Sequence, residues 1–355
     1  MRPLRVLVVD DSAFNRKLIT EILESVSGVT VVGKAADGEE ALRLLGSLEP
    51  DLITLDLEMP RMDGFSFLRF VMARRPTPII VVSSHSAKQN VFRALELGAL
   101  DFVAKPGAAP GEKLAVIKEE LLAKVAMVRQ LKVTCLEKQP RTTVSSLLRA
   151  VRTDGDRPLP VEDSPRWILA VAASTGGPSA LVELFSWLPS DLQAAVIVVQ
   201  HMPVRFTRTF AERLDRLGGL RVTEAVDGDR LRAGRAVVCP GGRCVDVARV
   251  ADGLAVRVVP PDPSDRYVPS ADRALASVAR AAGDRVLAVV LTGMGDDGAK
   301  GVQAVKAAGG RVYVQSPDTA LIDGMPRSAV RTGAADHVLP LKLLSEEITR
   351  ALGEP

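Results

Sequence analysis

The 355-residue sequence is poor in cysteine and in aromatic residues. Its three cysteines, Cys135, Cys239 and Cys244, form neither the even set of a disulfide framework nor the CxxC spacing of a zinc site. Aromatic residues make up 4% of the chain, while 47% is hydrophobic and 25% is charged, which is the composition of an ordinary globular protein. The cysteine content therefore predicts a reducing compartment and argues against an extracellular disulfide scaffold.

The chain also lacks an excess of charge of one sign and any long apolar run. Its 46 basic and 43 acidic residues leave a formal charge of +3, without the basic stripe of a nucleic-acid-binding protein. The apolar stretch at residues 6–9 is too short for a signal peptide, and no run approaches the roughly 18 residues of a membrane span. We therefore expect a cytoplasmic protein that binds no nucleic acid and does not insert into a membrane.

What the sequence does contain is an alternation of short apolar runs with amphipathic stretches, typical of parallel sheets covered by helices. It runs through residue 105, is followed by a helical stretch at 110–133, stops in a Pro- and Ser-rich segment, and resumes at Trp167. The prediction is an α/β protein with two doubly wound domains, at residues 1–133 (flavodoxin-like) and 166–355 (Rossmann-like, mostly parallel), joined by a linker at 134–165. The second domain also contains a predicted hairpin at 244–259 and a C-terminal helix near 341–352.

Polar residues end each predicted strand of the first domain. They are Asp10, Asp11, Asp56, Ser83 and Lys105. Because ligands of open α/β sheets bind beyond the carboxyl ends of the strands, these side chains are expected to share one edge of the sheet. Three converging carboxylates repel one another, and a hard cation such as Mg²⁺ relieves this repulsion. A phosphate-type group on the central carboxylate would then be neutralised by the metal and the lysine.

The same reasoning identifies a second site in the second domain. Ser174 and His201 each follow a predicted strand, and a third strand ends in the glycine-rich loop 293–298, which contains Asp296 and Asp297. A hydroxyl, an imidazole and a carboxylate are the groups of a serine hydrolase. The residue chemistry alone does not decide between the two aspartates. It also leaves open a serine that only caps a helix, or a glycine-rich turn that holds a phosphate.

The strand-to-helix turn after the second-domain serine suits an oxyanion hole. Thr175 and Gly176 lie in this turn, and Pro178 is suited to the first helical position. Helix N-termini and closely approaching glycine backbones both favour developing negative charge. The chain order Ser, His, Asp and the absence of a G-x-S-x-G motif disfavour a lipase-type fold.

The first-domain set resembles the receiver domain of bacterial response regulators. This resemblance implies roles for six residues: Asp56 as phosphoacceptor, Asp10 and Asp11 as the acidic pair that binds Mg²⁺ together with Asp56, Ser83 as switch hydroxyl, Lys105 as phosphate partner and Phe102 as aromatic switch position.

Nearly the whole chain resembles the chemotaxis protein-glutamate methylesterases, also called receptor methylesterase/glutamine deamidases. The resemblance rests on the receiver set, the linker and three motifs, A-A-S-T-G-G-P at 172–178, Q-H-M-P at 200–203 and L-T-G-M-G-D-D-G at 291–298. It implies that Ser174, His201 and Asp297 form a catalytic triad and that the backbone N–H of Met294 contributes to an oxyanion hole. It is the resemblance that selects Asp297 over Asp296.

The same resemblance implies the activity and its control. The expected reaction is hydrolysis of glutamate γ-methyl esters on chemoreceptors through an acyl-serine, with methanol released, and in some members deamidation of receptor glutamines. A chemotaxis histidine kinase is the expected phosphodonor, Mg²⁺ serves only the receiver, and the esterase needs no cofactor. In such proteins the unphosphorylated receiver covers the esterase cleft, and phosphorylation weakens that packing. We expect a monomer.

Two alternatives from other classes accompany this hypothesis. One is a response regulator whose output domain binds a nucleotide or metabolite without catalysis, although the glycine-rich turn lacks G-x-G-x-x-G and a P-loop lysine. The other is a scaffold or DNA-binding regulator, which the absence of a basic recognition helix disfavours.

Overall fold

The structure is a computed structural model that describes residues 2–83, 88–105, 112–129, 131, 164–204 and 206–353. The chain divides into two compact units, residues 1–141 and 142–355. Nearly all of the predicted linker 134–165 lies outside the described residues, as do Cys135 and His85, so the linker boundaries stay a prediction.

The described part of the first unit is a parallel sheet with helices between its strands. The sheet order is β2-β1-β3-β4-β5, the flavodoxin-type order, and every pairing is parallel. The elements are β1 (Leu4–Val9), α1 (Ala13–Glu24), β2 (Val29–Ala35), α2 (Gly38–Leu48), β3 (Leu52–Leu55), α3 (Gly64–Arg74), β4 (Ile79–Ser83), α4 (Lys88–Glu96), β5 (Asp101–Ala104) and α5 (Glu112–Val128). The flavodoxin-like prediction is thus confirmed, and α5 ends five residues earlier than predicted.

Local sequence explains where these elements begin and which are central. A side chain, Ser12, Asp37 or Asp63, caps each of the first three helices by accepting the backbone N–H of the residue three positions later. The strands β3 and β4 are buried along their whole length, since both lie inside the sheet and helices cover both faces.

The described part of the second unit contains a larger parallel sheet. Its order is β14-β13-β12-β6-β7-β9-β8, and each of its pairings is parallel. The elements are β6 (Trp167–Ala173), α6 (Gly177–Trp187), β7 (Ala194–Gln200), α7 (Phe206–Asp215), β8 (Arg221–Glu224), β9 (Arg235–Val238), β10 (Cys244–Val250), β11 (Gly253–Val259), α8 (Ala271–Ala282), a 3₁₀ turn (Gly283–Arg285), β12 (Val286–Val290), α9 (Ala299–Ala307), β13 (Arg311–Gln315), α10 (Gly324–Arg331), β14 (His337–Leu339) and α11 (Leu341–Gly353).

The second sheet confirms the Rossmann-like prediction and adds two strands to it. The strands β13 and β14 extend the sheet beyond β12, although their sequences were not among the predicted strands. The predicted hairpin is the antiparallel pair β10 and β11, outside the main sheet. A buried core lies between the sheet, α8 and this hairpin. Among the described residues, none of the helices is both long and apolar enough to cross a bilayer.

Candidate functional sites

The three predicted acidic residues of the first unit meet at the carboxyl ends of β1 and β3. Carboxylate oxygens of Asp10, Asp11 and Asp56 all lie within 4.8 Å of one another. Asp10 and Asp56 are buried, while Asp11 is exposed. A group of oxygen ligands with one solvent-facing member fits Mg²⁺, which keeps several of its water ligands in proteins.

Lys105 is the basic partner of this acidic cluster. Its Nζ atom lies 2.8 Å from an oxygen of Asp10 and 2.5 Å from an oxygen of Asp56. Burial, reinforced by the charge of Asp10, raises the pKa of Asp56 although Lys105 opposes the shift. Burial also acts against the charged form of Lys105, but its hydrogen bonds to Asp10 and Asp56 prevail and raise its pKa. The site therefore concentrates buried negative charge that one lysine compensates only in part.

The two predicted switch residues flank the cluster on β4 and β5. Ser83 is the last residue of β4 and is buried, and its backbone carbonyl accepts the N–H of Lys105 at 2.7 Å. Phe102 is buried on β5, in edge contact with Phe92 at 6.3 Å between ring centroids. The Nζ atom of Lys124 lies 5.2 Å from the Phe102 ring centroid.

In the second unit, the predicted catalytic residues follow three neighbouring strands. Ser174 follows β6, His201 follows β7, and Asp297 lies in the loop after β12, where the sheet order is β12-β6-β7. The strand β7 pairs with one side of β6, and β12, later in the chain, pairs with the other side. The direction in which strands are added therefore reverses at β6, and the site lies at this switch point of the sheet. The last pair in the β6–β7 register is Ala173 with Gln200, directly before the serine and the histidine.

A short hydrogen bond joins the imidazole to one of the two candidate acids. Nε2 of His201 lies 2.8 Å from Oδ2 of Asp297. The carboxylate is buried, and the histidine side chain is 15% exposed. Because an ionised carboxylate only accepts hydrogen bonds, Nε2 carries the proton in the neutral ring and Nδ1 is the acceptor nitrogen. The structure thus separates the two acids that residue chemistry alone left equivalent.

Asp297 is itself held by the first turn of a helix. Its two oxygens accept the backbone N–H groups of Ala271 and Asp272 at 2.7 and 2.8 Å, at the start of α8. Asp272 in turn accepts the N–H groups of Gly298 and Gly301 at the start of α9. Asp297 therefore accepts N–H groups at the start of α8 that have no partner within the helix, and Asp272 does the same at the start of α9. The helix dipole of α8 also stabilises a negative charge on Asp297. Burial, with the nearby charge of Asp297, raises the pKa of Asp272.

The turn that carries Ser174 depends on two glycines. Gly176 has a φ of +76°, and a Cβ there would lie 2.9 Å from the side chain of Leu321. A Cβ on Gly177 would lie 2.1 Å from Oε1 of Gln200. Glycine at both positions lets the chain turn from β6 into α6, so that the first N–H groups of the helix lie next to the serine.

A buried glutamine ties the serine segment to the histidine segment. Nε2 of Gln200 donates to the carbonyl oxygens of Ser174 and His201, at 2.9 and 3.0 Å. The backbone N–H of His201 also donates to the carbonyl of Ala173 at 3.1 Å. These bonds fix the two backbone segments relative to each other. The glutamine belongs to the Q-H-M-P motif, but the sequence did not indicate this role.

The glycine-rich loop after β12 lies against the serine. The backbone N–H of Ser174 donates to the carbonyl oxygen of Thr292 at 3.0 Å, and a Cβ on Gly293 would lie 2.8 Å from Cβ of Ser174. The Thr292 hydroxyl donates to the carbonyl of Thr175 at 2.9 Å, which joins this loop to the serine turn. Met294, the predicted oxyanion donor, follows directly and is half-buried. The predicted oxyanion residues are therefore on the two segments that border the serine.

Asp296 lies outside the histidine–carboxylate pair. Its side chain is 55% exposed, and its oxygens accept hydrogen bonds from the Tyr267 hydroxyl and from Arg266. The ring of Tyr267 stacks on His201 with 5.3 Å between centroids and 4° between planes. Sequence reasoning missed Tyr267, because this residue follows no strand and belongs to none of the recognised motifs.

Two parallel-sheet units, one with a receiver-type acidic cluster and one with a serine, histidine and aspartate at neighbouring strand ends, define a response regulator with an enzymatic output domain. The sequence model of the CheB methylesterase family matches residues 169–348, and that of the response regulator receiver domain matches residues 6–116. The chain belongs to the CheB methylesterase family. Its second unit is a hydrolase domain, which answers the alternative of a non-catalytic output domain.

Similar proteins extend over almost the whole chain. Protein-glutamate methylesterase/protein-glutamine glutaminase 3 of Geobacter sulfurreducens is 47% identical over 99% of this chain and 98% of its own length. Protein-glutamate methylesterase/protein-glutamine glutaminase 6 of Anaeromyxobacter dehalogenans is 50% identical over 98% of this chain and 95% of its own length. The crystal structure of the Thermotoga maritima CheB methylesterase catalytic domain matches with a TM-score of 0.51 and 34% identity, over 53% of this chain and all of that one.

Proposed function

We propose that the protein hydrolyses glutamate γ-methyl esters on chemoreceptors through an acyl-enzyme on Ser174. The observation that carries this proposal is the 2.8 Å bond between His201 and Asp297, at strand ends that border the serine. The substrate class follows from relatives of nearly equal length that are named protein-glutamate methylesterases and protein-glutamine glutaminases. Such esters lie on the cytoplasmic part of the receptors, so we expect the protein to act in the cytoplasm.

The chemistry requires one proton acceptor and one donor, and His201 serves as both. Oγ of Ser174 attacks the ester carbonyl carbon while its proton moves to Nδ1 of His201, and methanol then leaves with that proton. Water attacks the acyl carbon in the second half, its proton takes the same route, and the Glu carboxylate is released with Ser174 restored. Asp297 keeps the ring in the tautomer that makes Nδ1 basic and stabilises the imidazolium.

Backbone N–H groups supply the remaining stabilisation. The helix α6 begins three residues after Ser174, and the Met294 N–H lies on the segment that contacts Ser174 through Gly293. Donors of this kind act on the negative charge that develops on the carbonyl oxygen in the transition state. The same attack on a glutamine side chain would release ammonia, so deamidation needs no additional catalytic group.

We further propose that the first unit is the regulatory receiver and that Asp56 is its phosphoacceptor, with a chemotaxis histidine kinase as donor. Asp10, Asp11 and Asp56 would hold Mg²⁺, which neutralises phosphoryl oxygens when bound. Lys105, whose Nζ lies 2.5 Å from an oxygen of Asp56, would pair with the new phosphoryl group, and the hydroxyl of Ser83, at the end of β4, would donate to it. Phe102 is the aromatic residue that we expect to respond to phosphorylation of Asp56.

In this proposal the receiver inhibits the esterase until it is phosphorylated. Deleting residues 1 to about 160 should therefore raise basal esterase activity. The catalytic domain of the Thermotoga maritima relative was crystallised by itself, which supports the use of such a fragment. Unchanged or lower activity in a folded fragment would contradict the inhibitory role.

The direct test is methanol release from methylated receptor incubated with the full-length protein, with and without a small-molecule phosphodonor. We expect release that the phosphodonor increases. The rate should fall on acidification, since a protonated imidazole accepts no proton from the serine. A rate that stays constant down to about pH 5 would argue against His201 as the base.

A further inference from the structure

The adjacent residues Asp296 and Asp297 hold two stacked rings. Asp297 bonds to His201 at 2.8 Å, and Asp296 accepts the Tyr267 hydroxyl at 2.9 Å. The two rings are nearly parallel, 5.3 Å apart. We infer that Tyr267 is a positioning residue for the catalytic imidazole and that Asp296 holds Tyr267 in place. The inference rests on the proposed function of His201.

The imidazole needs a second support because its bond to Asp297 fixes only one edge. A ring held at Nε2 alone still tilts about that hydrogen bond, and in the proposed mechanism this tilt would misalign Nδ1 with Oγ of Ser174. The Tyr267 ring stacks parallel to the imidazole, with 5.3 Å between the centroids, and restricts this motion. Preorganised groups of this kind matter, since a misplacement of about 1 Å at a catalytic group costs roughly 100-fold in rate.

The loop at 295–297 is built around this stack. Gly295 has a φ of +89°, and a Cβ there would lie 2.4 Å from the Tyr267 hydroxyl oxygen. Any larger residue would displace the hydroxyl from its acceptor. Three consecutive residues thus provide the space for the tyrosine hydroxyl, the acceptor for it and the partner of the histidine.

Arg266 completes the support on the solvent side. Its guanidinium lies 3.2 and 3.3 Å from the two oxygens of Asp296 and 5.2 Å from the Tyr267 ring centroid. The pair is exposed, so its ionic contribution is small, but its geometry restricts the rotamers of both partners. Tyr267 is therefore held at its hydroxyl and along its ring.

Stacking also favours the charged intermediate of the reaction. When the serine proton arrives, the imidazole becomes a cation within about 6 Å of an aromatic face, which is the range of a cation–π interaction. This stabilisation exists in the transition state and is weaker in the ground state. Loss of Tyr267 should therefore lower kcat and leave KM nearly unchanged.

The test compares kcat and KM for methanol release in full-length variants. Tyr267→Ala should lower kcat about 10- to 100-fold with KM within about twofold of wild type. Tyr267→Phe keeps the stacked ring and should lower kcat only about threefold, as should Asp296→Ala. The two mild changes combined should be no worse than either alone, because both remove the same hydrogen bond.

Tyr313 offers a matched control. It is the other tyrosine of the chain and also contacts a histidine, His337, but edge-on at 4.8 Å and on the outer strands β13 and β14. Tyr313→Phe should leave kcat at the wild-type value. Thermal unfolding midpoints establish that each variant is folded. If Tyr267→Ala does not fold, the inference is tested by the kcat of the variant that combines Tyr267→Phe with Asp296→Ala.

Three results would overturn the inference: wild-type kcat in folded Tyr267→Ala, a loss expressed only in KM, or additive effects of Tyr267→Phe and Asp296→Ala. Ser174→Ala is assayed beside them to keep the two proposals separate. If Ser174→Ala releases methanol at the wild-type rate, the proposed nucleophile is wrong. If it is inactive while Tyr267→Ala behaves as wild type, only the role of Tyr267 fails.

Discussion

The two units use the same architecture but compensate their buried carboxylates differently. In the first unit, Asp10 and Asp56 share one lysine, and burial raises the pKa of Asp56. In the second, Asp297 accepts two backbone N–H groups from α8 and the Nε2–H of His201. The first arrangement leaves negative charge for a cation to neutralise, whereas the second saturates its acid with hydrogen bonds. This difference suits one unit to phosphoryl chemistry and the other to acyl transfer.

The contacts that hold the key side chains differ in the same way. The acid of the second unit is fixed by a helix N-terminus, and its histidine is held by Asp297 and stacked on Tyr267. The lysine of the first unit contacts two acids at once, and a new phosphoryl group on Asp56 would compete for it. Under the proposed function, the site of the second unit would turn over repeatedly, and that of the first would change its contacts when its charge changes.

The largest expected effect is a substitution that abolishes the function of the second unit and leaves that of the first unit intact. Ser174→Ala should lower kcat by about 10⁴-fold or more, because the covalent route is lost, while phosphorylation of Asp56 should be unaffected. Methanol release and labelling by a radioactive phosphodonor measure the two functions in the same preparation. Ser186→Ala is the control, since its hydroxyl only bonds back to Glu183 within α6. Methanol release at the wild-type rate from Ser174→Ala would refute the acyl-serine mechanism.

The next effect compares neighbouring acids in the second unit. Asp297→Asn should lower kcat about 10⁴-fold, because an amide no longer favours the required tautomer of His201. It should also destabilise this unit by about 1–2 kcal/mol, as the amide compensates the start of α8 less well. Asp296→Asn, the matched change at an exposed position, should cost less than about threefold. Comparable losses at both positions would show that the two acids are not distinguished as the structure indicates.

A smaller effect tests the connection between the units. A phosphodonor should raise wild-type esterase activity about tenfold, an ordinary size for regulatory coupling, and should have no effect on Asp56→Asn. Asp51→Asn is the control, because Asp51 lies at the opposite end of β3 and bonds to Arg2 and Arg5. Activation that persists in Asp56→Asn would assign the phosphoacceptor elsewhere.

The smallest effect concerns the charge balance of the first unit. Because the pKa of Asp56 is raised above 3.8 in the folded unit, Asp56 binds more protons there than in the unfolded chain just above that pH, and its contribution to the free energy of unfolding falls as pH rises through this range. Mg²⁺ should oppose this loss, by about 1.4 kcal/mol at tenfold excess over its dissociation constant, and less as the pH falls toward 4. Calorimetry of the first-unit transition with and without Mg²⁺ measures the gain.

Two variants sharpen this metal test. Asp10→Asn should remove the Mg²⁺-dependent gain, because the cluster loses a buried ligand. Glu21→Gln should retain it, since Glu21 pairs with Lys17 on the exposed face of α1. An equal Mg²⁺ effect in both variants would place the cation outside the acidic cluster.

Much of this molecule follows from strand-end reasoning. Because parallel strands place their carboxyl ends on one edge, the sequence positions of Asp56 and Ser174 predicted which edge each would occupy, and the sheets agree. The strands β13 and β14 escaped this reasoning. The strand β14 has three residues, two of them exposed, and lies at the edge of the sheet, where side chains need less apolar character than in the centre. Four of the five residues of β13 are buried, so neither its length nor its exposure explains why it was missed.

The sequence by itself determined two α/β units, the acidic cluster with its lysine, and a serine and a histidine at strand ends. Only the tertiary structure distinguished Asp297 from Asp296 by contact and brought Tyr267 onto His201. The reason is physical. Strand periodicity and end position are local properties that a sequence carries directly. The direction of two adjacent carboxylates instead depends on a helix and a loop whose contacting residues lie 26 and 29 residues away along the chain.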